Sequence, residues 1–181
     1  MRAPTKTLAL GFLLLTIFCG SFYFFYRRAQ KKAPPAHQDL ILTEAVLNRP
    51  LPKADLVNIS DEKLADEELR RGKKVLVFMM PDCEPCDREN AFLRTVADSH
   101  QDLKFLYVIP FGNKAEGLKT AQAKYALAPF YDRGSNLSRS LDIYQVPIKV
   151  FLEDGVIKKV WLDATSSDQE RAEFKAWLDS V

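Results

Sequence analysis

Histidine and cysteine are scarce in this chain: its 181 residues hold two histidines and three cysteines. A structural zinc site takes about four such ligands. With Cys19 inside an apolar run, only Cys83, Cys86, His37 and His100 remain, the bare minimum for one. Acidic residues are missing from the first 35 positions, which carry six Lys or Arg. Taking those six from the total of 26 leaves 20 basic against 24 acidic side chains in the rest, a net of −4. A mildly acidic body lacks the basic patch that nucleic-acid binding needs, so no nucleic-acid partner is expected. Glycine and proline are not in excess and no low-complexity repeat occurs. The 47% hydrophobic and 28% charged composition is that of a globular chain with room for one ordinary domain plus an appendage.

The appendage is visible at the N-terminus. Leu8 to Tyr26 reads LALGFLLLTIFCGSFYFFY, without a formal charge. As a helix at ~1.5 Å per residue this run reaches about 28 Å, close to the thickness of the hydrocarbon core. Tyr23 and Tyr26 stand at its end, where aromatic rings favour the interface, and Arg27, Arg28, Lys31 and Lys32 follow. Arg2 and Lys6 before the run also suit a signal peptide, and Cys19 raises lipidation after cleavage. The run is long for a signal, no small-residue cleavage site follows it, and Ile17-Phe18 is bulky before Cys19. A retained membrane anchor over residues 1–28 is therefore the favoured reading, with a charged, Pro-Pro-containing tether over 29–43 and a folded domain over 44–181. The basic residues after the run would hold that domain on the cytoplasmic side.

Within the domain the pattern alternates between strand and helix. Ile41–Leu51 reads as a short lead-in element. Residues 63–71 suit a helix stopped by Gly72. Residues 74–80, KVLVFMM, form a continuous apolar run of the kind found in a strand buried on both faces. A helix is expected from Pro85 to about Ser99, with Phe92/Val96 and Leu93/Ala97 as apolar pairs. A strand over 103–111, a helix over 115–126 and a short helical turn over 135–141 follow. Strands over 147–152 and 156–162 flank the Glu153-Asp154-Gly155 turn, and a helix over 167–180 closes the chain. This order predicts an α/β fold with a mixed sheet flanked by helices.

Cys83-Glu84-Pro85-Cys86 falls where the first buried strand hands over to a helix. A C-x-x-C at such a junction is a redox signature. A cysteine at a helix N-terminus meets unpaired N–H groups and the positive end of the macrodipole, both of which favour thiolate. Cys83 is the expected nucleophile and Cys86 the resolving thiol. Pro85 fits the first helical turn, where a missing N–H costs nothing. Haem attachment would need histidine after the second cysteine, and Asp87 stands there. A purely structural disulfide closing so small a loop would stabilise little. Copper handling through the two thiols is the rival reading from another class, with His100 the one histidine on the adjoining segment.

The run KVLVFMMPDCEPC followed by a helix, with Val146-Pro147 ahead of a later strand, resembles the thioredoxin superfamily. With the upstream GKKVLVF and the N-terminal anchor, the CEPC tetrad is similar to membrane-anchored TlpA/ResA-type thiol–disulfide reductases. The resemblance spans residues 44–181. It implies a thioredoxin-like fold, a cis proline at Pro147 facing the cysteines, and Val146 presenting its backbone to substrate. It also implies disulfide-bonded protein substrates, a membrane thiol donor of electrons and an extracytoplasmic, periplasmic domain. That location opposes the charge flanks, and the family expectation is the one carried forward. An oxidase or isomerase of the same fold is the alternative direction. Two positions depart from the pattern: Asp82 stands where Trp is common, and Val77 where thioredoxin has a buried Asp. Glu84 is then the nearest substitute for a general base.

The charges beside the motif bear on direction. Asp82, Glu84 and Asp87 surround the cysteines, against Arg88 alone. Negative neighbours disfavour thiolate and oppose the helix dipole, which leans the couple towards a reductase. Phe111, Phe130, Tyr131 and Tyr144 are aromatic candidates for a substrate groove.

Overall fold

The run Lys73–Phe78 (β2) occupies the middle of a six-stranded sheet, as a segment apolar on both faces must. The computed structural model describes residues 44–125 and 128–181. The expected anchor, the tether, Cys19 and His37 lie outside the described residues, as do Ala126 and Leu127. Among the described residues no helix is long and apolar enough to cross a membrane.

In chain order the elements are β1 (Leu56–Val57), α1 (Asp66–Arg70), β2, α2 (Glu84–Ser99), β3 (Lys104–Ile109), α3 (Lys114–Tyr125) and β4 (Phe130–Asp132). A 3₁₀ turn (Arg133–Ser135) leads into α4 (Asn136–Ser140), then β5 (Ile148–Glu153), β6 (Val156–Trp161) and α5 (Asp168–Leu178). The strand order is β1-β4-β3-β2-β5-β6. β2 runs parallel to β3 and antiparallel to β5, so the sheet is mixed. The expected α/β fold with a mixed sheet flanked by helices is therefore present.

Alternation along β2 divides the interior into two layers. Val75, Val77 and Met79 pack with Cys86, Phe92, Leu93 and Val96 of α2, with Leu118 and Tyr125 of α3, and with Phe174 and Leu178 of α5. Leu76 and Phe78 face the other way, towards Leu69 of α1, Leu137 of α4 and the preceding Leu51 and Leu56. Helices thus cover both faces.

The β5–β6 turn carries the expected chemistry. Asp154 (φ 49°) and Gly155 (φ 76°) both have positive φ, the pattern of a tight hairpin turn between β5 and β6. A side chain at Gly155 would crowd the Arg70 backbone at 3.1 Å on a positive φ, and both favour glycine. Ser167 caps α5 in a reciprocal capping box with Glu170.

Three features depart from the sequence reading. The first helix is shorter than 63–71, because Lys63 pairs with Val57 in extended conformation and Ala65 is extended as well. β1 and β4 went unread, being two and three residues long. Among the described residues of the lead-in element, Glu44–Val46 is helical. The chain then lies beside β6, with Asn48 N–H donating to Ile157 O at 2.7 Å and Leu51 N–H to Gly155 O at 2.7 Å.

Candidate active site

Cys83 is the N-cap of α2, and its Sγ accepts a hydrogen bond from the Cys86 amide at 3.2 Å. The extended backbone at Cys83 (φ −129°, ψ 104°) turns its side chain back over the open first turn, where unpaired N–H groups collect. Pro85 sits in that turn and lacks only a donor that would be unpaired anyway. Cys83 and Cys86 form a disulfide with Cα atoms 5.2 Å apart. Cys86 is fully buried and Cys83 partly exposed, so an incoming group meets Cys83 first.

The second half of the site comes from β5. Phe78, the last residue of β2, pairs with Ile148, the first of β5. That register brings Val146-Pro147 alongside the motif. The Val146–Pro147 peptide is cis, and the Val146 carbonyl oxygen lies 3.9 Å from Cys83 Sγ. Pro147 is buried and Val146 half-buried. The structure thus brings together Cys83, Cys86, Pro85 and Val146-Pro147.

Glu84 is placed otherwise than a buried base would be. It is 83% exposed and pairs with Arg88 one turn along α2. Asp87 is also paired: its Oδ1 accepts from Lys124 Nζ at 2.8 Å and from the Tyr125 hydroxyl at 2.8 Å. The Lys124 ammonium, with help from the Tyr125 hydroxyl, holds the Asp87 carboxyl below its usual range. Burial, and then the Asp87 carboxylate, push the Tyr125 phenol well up, so it stays a donor. Counting carboxylates along the sequence therefore overstated the negative charge at the motif, because α3 supplies a cation from 37 residues away.

Sequence reading also missed the one fully buried ion pair among the described residues. Glu89 Oε1 accepts from Lys149 Nζ at 2.7 Å, with both side chains wholly inaccessible. Thr165 donates its amide (2.6 Å) and hydroxyl (2.8 Å) to Glu89 Oε2, and Lys149 donates again to Asp163 O at 2.7 Å. Burial drives the Lys149 pKa down and Glu89 opposes that shift. Lys149 is the direct cross-strand partner of Val77. A buried charge pair thus stands beside the strand position that carries valine. The available signal was a lysine interrupting the apolar run PIKVFL.

The aromatic candidates separate. Phe111, Phe130 and Tyr131 are half-buried, and Tyr131 donates its hydroxyl to Gly112 O at 2.9 Å. Tyr144 is 74% exposed, two residues before Val146. His100 follows the far end of α2, about 24 Å from Cys83 along a helix of 16 residues. Its Nε2 is 2.9 Å from Asp179 Oδ1, so it is not gathered with the two sulfurs.

No protein-family profile matches the sequence, and a search of curated proteins finds no match. Solved structures do match. A secreted Mycobacterium tuberculosis disulfide oxidoreductase homologous to Escherichia coli DsbE is 16% identical with a TM-score of 0.57, covering 70% of this chain and 94% of that one. StoA from Bacillus subtilis is 20% identical with a TM-score of 0.54, over 72% of this chain and 99% of that one. The thioredoxin domain of a Bacteroides vulgatus thiol-disulfide oxidoreductase is 11% identical with a TM-score of 0.58, over 72% and 96%. Similarity at these identities is similarity of fold, and the chain has a thioredoxin-like α/β fold with a C-x-x-C disulfide at its first buried strand–helix junction.

Proposed function

We propose that this chain is a thiol–disulfide oxidoreductase that reduces disulfides in extracytoplasmic proteins. The observation that carries the reading is the placing of a partly exposed Cys83 sulfur on the N-terminus of α2, opposite the Val146 carbonyl and above a buried Cys86.

In the dithiol form, the Cys83 thiolate attacks one sulfur of a substrate disulfide, and the other substrate sulfur leaves as thiolate. Cys86 then attacks Cys83 Sγ, freeing the second substrate thiolate and closing the Cys83–Cys86 disulfide. Two electrons pass to the substrate, and a dithiol donor restores the enzyme. The amide of Cys86, already directed at Cys83 Sγ, stabilises the negative sulfur at the start and end of this cycle. Val146 offers its backbone to an extended substrate segment, and Tyr144, two residues ahead of it, is exposed.

Three carboxylates (Asp82, Glu84, Asp87) and two cations (Arg88, Lys124) frame the sulfurs, a residual negative balance that supports the reducing direction. The apolar run Leu8–Tyr26 supports a membrane tether, and the resemblance to TlpA/ResA-type reductases supports a membrane dithiol donor on the extracytoplasmic side.

Cysteine variants of the full chain in detergent test the reading. Cys86→Ser is expected to accumulate mixed disulfides with a disulfide-bonded protein substrate, and Cys83→Ser to form none and to lose exchange. Trapping by Cys83→Ser instead would reverse the two assignments.

A further inference from the structure

Asp87 places a carboxylate one residue beyond the buried cysteine, in the first turn of α2. Two side chains from the end of α3 converge on it, Lys124 and Tyr125. The same two groups reach the carbonyls that leave β2. Tyr125 Oη lies 3.1 Å from Met80 O, so its single hydrogen serves two acceptors, and Lys124 Nζ donates to Pro81 O at 2.5 Å. Tyr125 is buried, whereas Lys124 is about two-fifths exposed. Three segments are thereby joined directly behind the disulfide: the end of β2, the start of α2 and the end of α3.

We propose that Lys124, seated by Tyr125, is a positioning residue that neutralises Asp87 and so sets how readily the adjacent cysteine pair ionises. The inference deepens the oxidoreductase reading and rests on it. The other charged groups around the pair are Asp82, the Glu84–Arg88 pair and the buried Glu89–Lys149 pair. Glu84 pairs with Arg88 and Glu89 with Lys149, and Asp87 takes its counter-charge from α3. Without Lys124, Asp87 acts on the sulfurs as an unopposed anion and opposes thiolate formation. Without Asp87, Lys124 acts as an unopposed cation and favours it. A bracket that merely held the loop would respond alike to loss of either partner; a charge-setting pair responds with opposite sign.

The experiment titrates the more acidic thiol of the reduced full chain in detergent, by its ultraviolet thiolate absorbance, in four proteins. At a fixed pH below the thiol pKa, Lys124→Gln is expected to lower the thiolate fraction about threefold and Asp87→Asn to raise it about threefold. The double variant returns to the parent value, and Lys124→Arg, which keeps the charge, stays there too. Shifts of the same sign in both single variants, or no shift in either, overturn the proposal. The titration reads ionisation without needing turnover. A parent chain that exchanges no disulfides would therefore defeat the oxidoreductase reading and leave this result legible.

Discussion

Glu89 and Lys149 show at residue scale how much a buried charge depends on its partner. Both are wholly inaccessible, and every oxygen of Glu89 is met by a donor. Removing one partner leaves the other charged and dry. Glu89→Gln is expected to cost about 3–5 kcal/mol of unfolding free energy in urea, and adding Lys149→Met should recover much of that loss. A double variant no more stable than the single would show that the pair does not act as a unit. The carboxylates on the surface behave differently. The Asp87 pKa is depressed chiefly by the Lys124 hydrogen bond, and that of Glu170 by the Ser167 and Ser166 hydrogen bonds. A depressed folded pKa adds stability that is full above the ordinary carboxylate value and is lost as pH falls through the folded one. Unfolding midpoints should therefore drop as pH falls from about 4, and Asp87→Asn should flatten that drop. An unchanged acid slope would mean that the Lys124 contact is absent in solution.

At the scale of elements, α5 is held to the sheet by an aromatic cluster. Phe174 lies 5.7 Å from Phe92 of α2 and 4.6 Å from Trp161 of β6, and Trp177 lies 4.8 Å from Phe151 of β5. Phe174→Ala is expected to cost about 3–5 kcal/mol, read from urea unfolding, because it opens a cavity between three elements. A loss near zero would mean that α5 docks through its other contacts. The elements themselves were legible wherever one physical signal dominated. β2 declared itself by a run with no polar face, and the β5–β6 turn by Asp154-Gly155. β1 and β4 are too short to carry a period, and exist because neighbours pair with them: Leu56 with Asp132, and Ile109 with Tyr131. The site divides in the same way. The C-x-x-C and its helix N-terminus are local in sequence and were readable. The pairings of Asp87 with Lys124 and of Glu89 with Lys149 join residues 37 and 60 apart, and no local pattern announces them.

For the whole molecule, the fold places chemistry at one spot: β2 delivers the cysteines, β5 delivers Val146-Pro147, and their antiparallel register sets the two face to face. The basic residues gather beside the proposed membrane segment, with a mildly acidic domain beyond it. The cysteine pair is proposed to donate electrons. The measurement that tests it most directly is the reduction potential of the Cys83–Cys86 couple, equilibrated against glutathione. A value near that of thioredoxin, about −270 mV, is expected, at which the dithiol reduces ordinary protein disulfides. A value near −120 mV, that of a strong oxidant, would contradict it and assign the site to making disulfides.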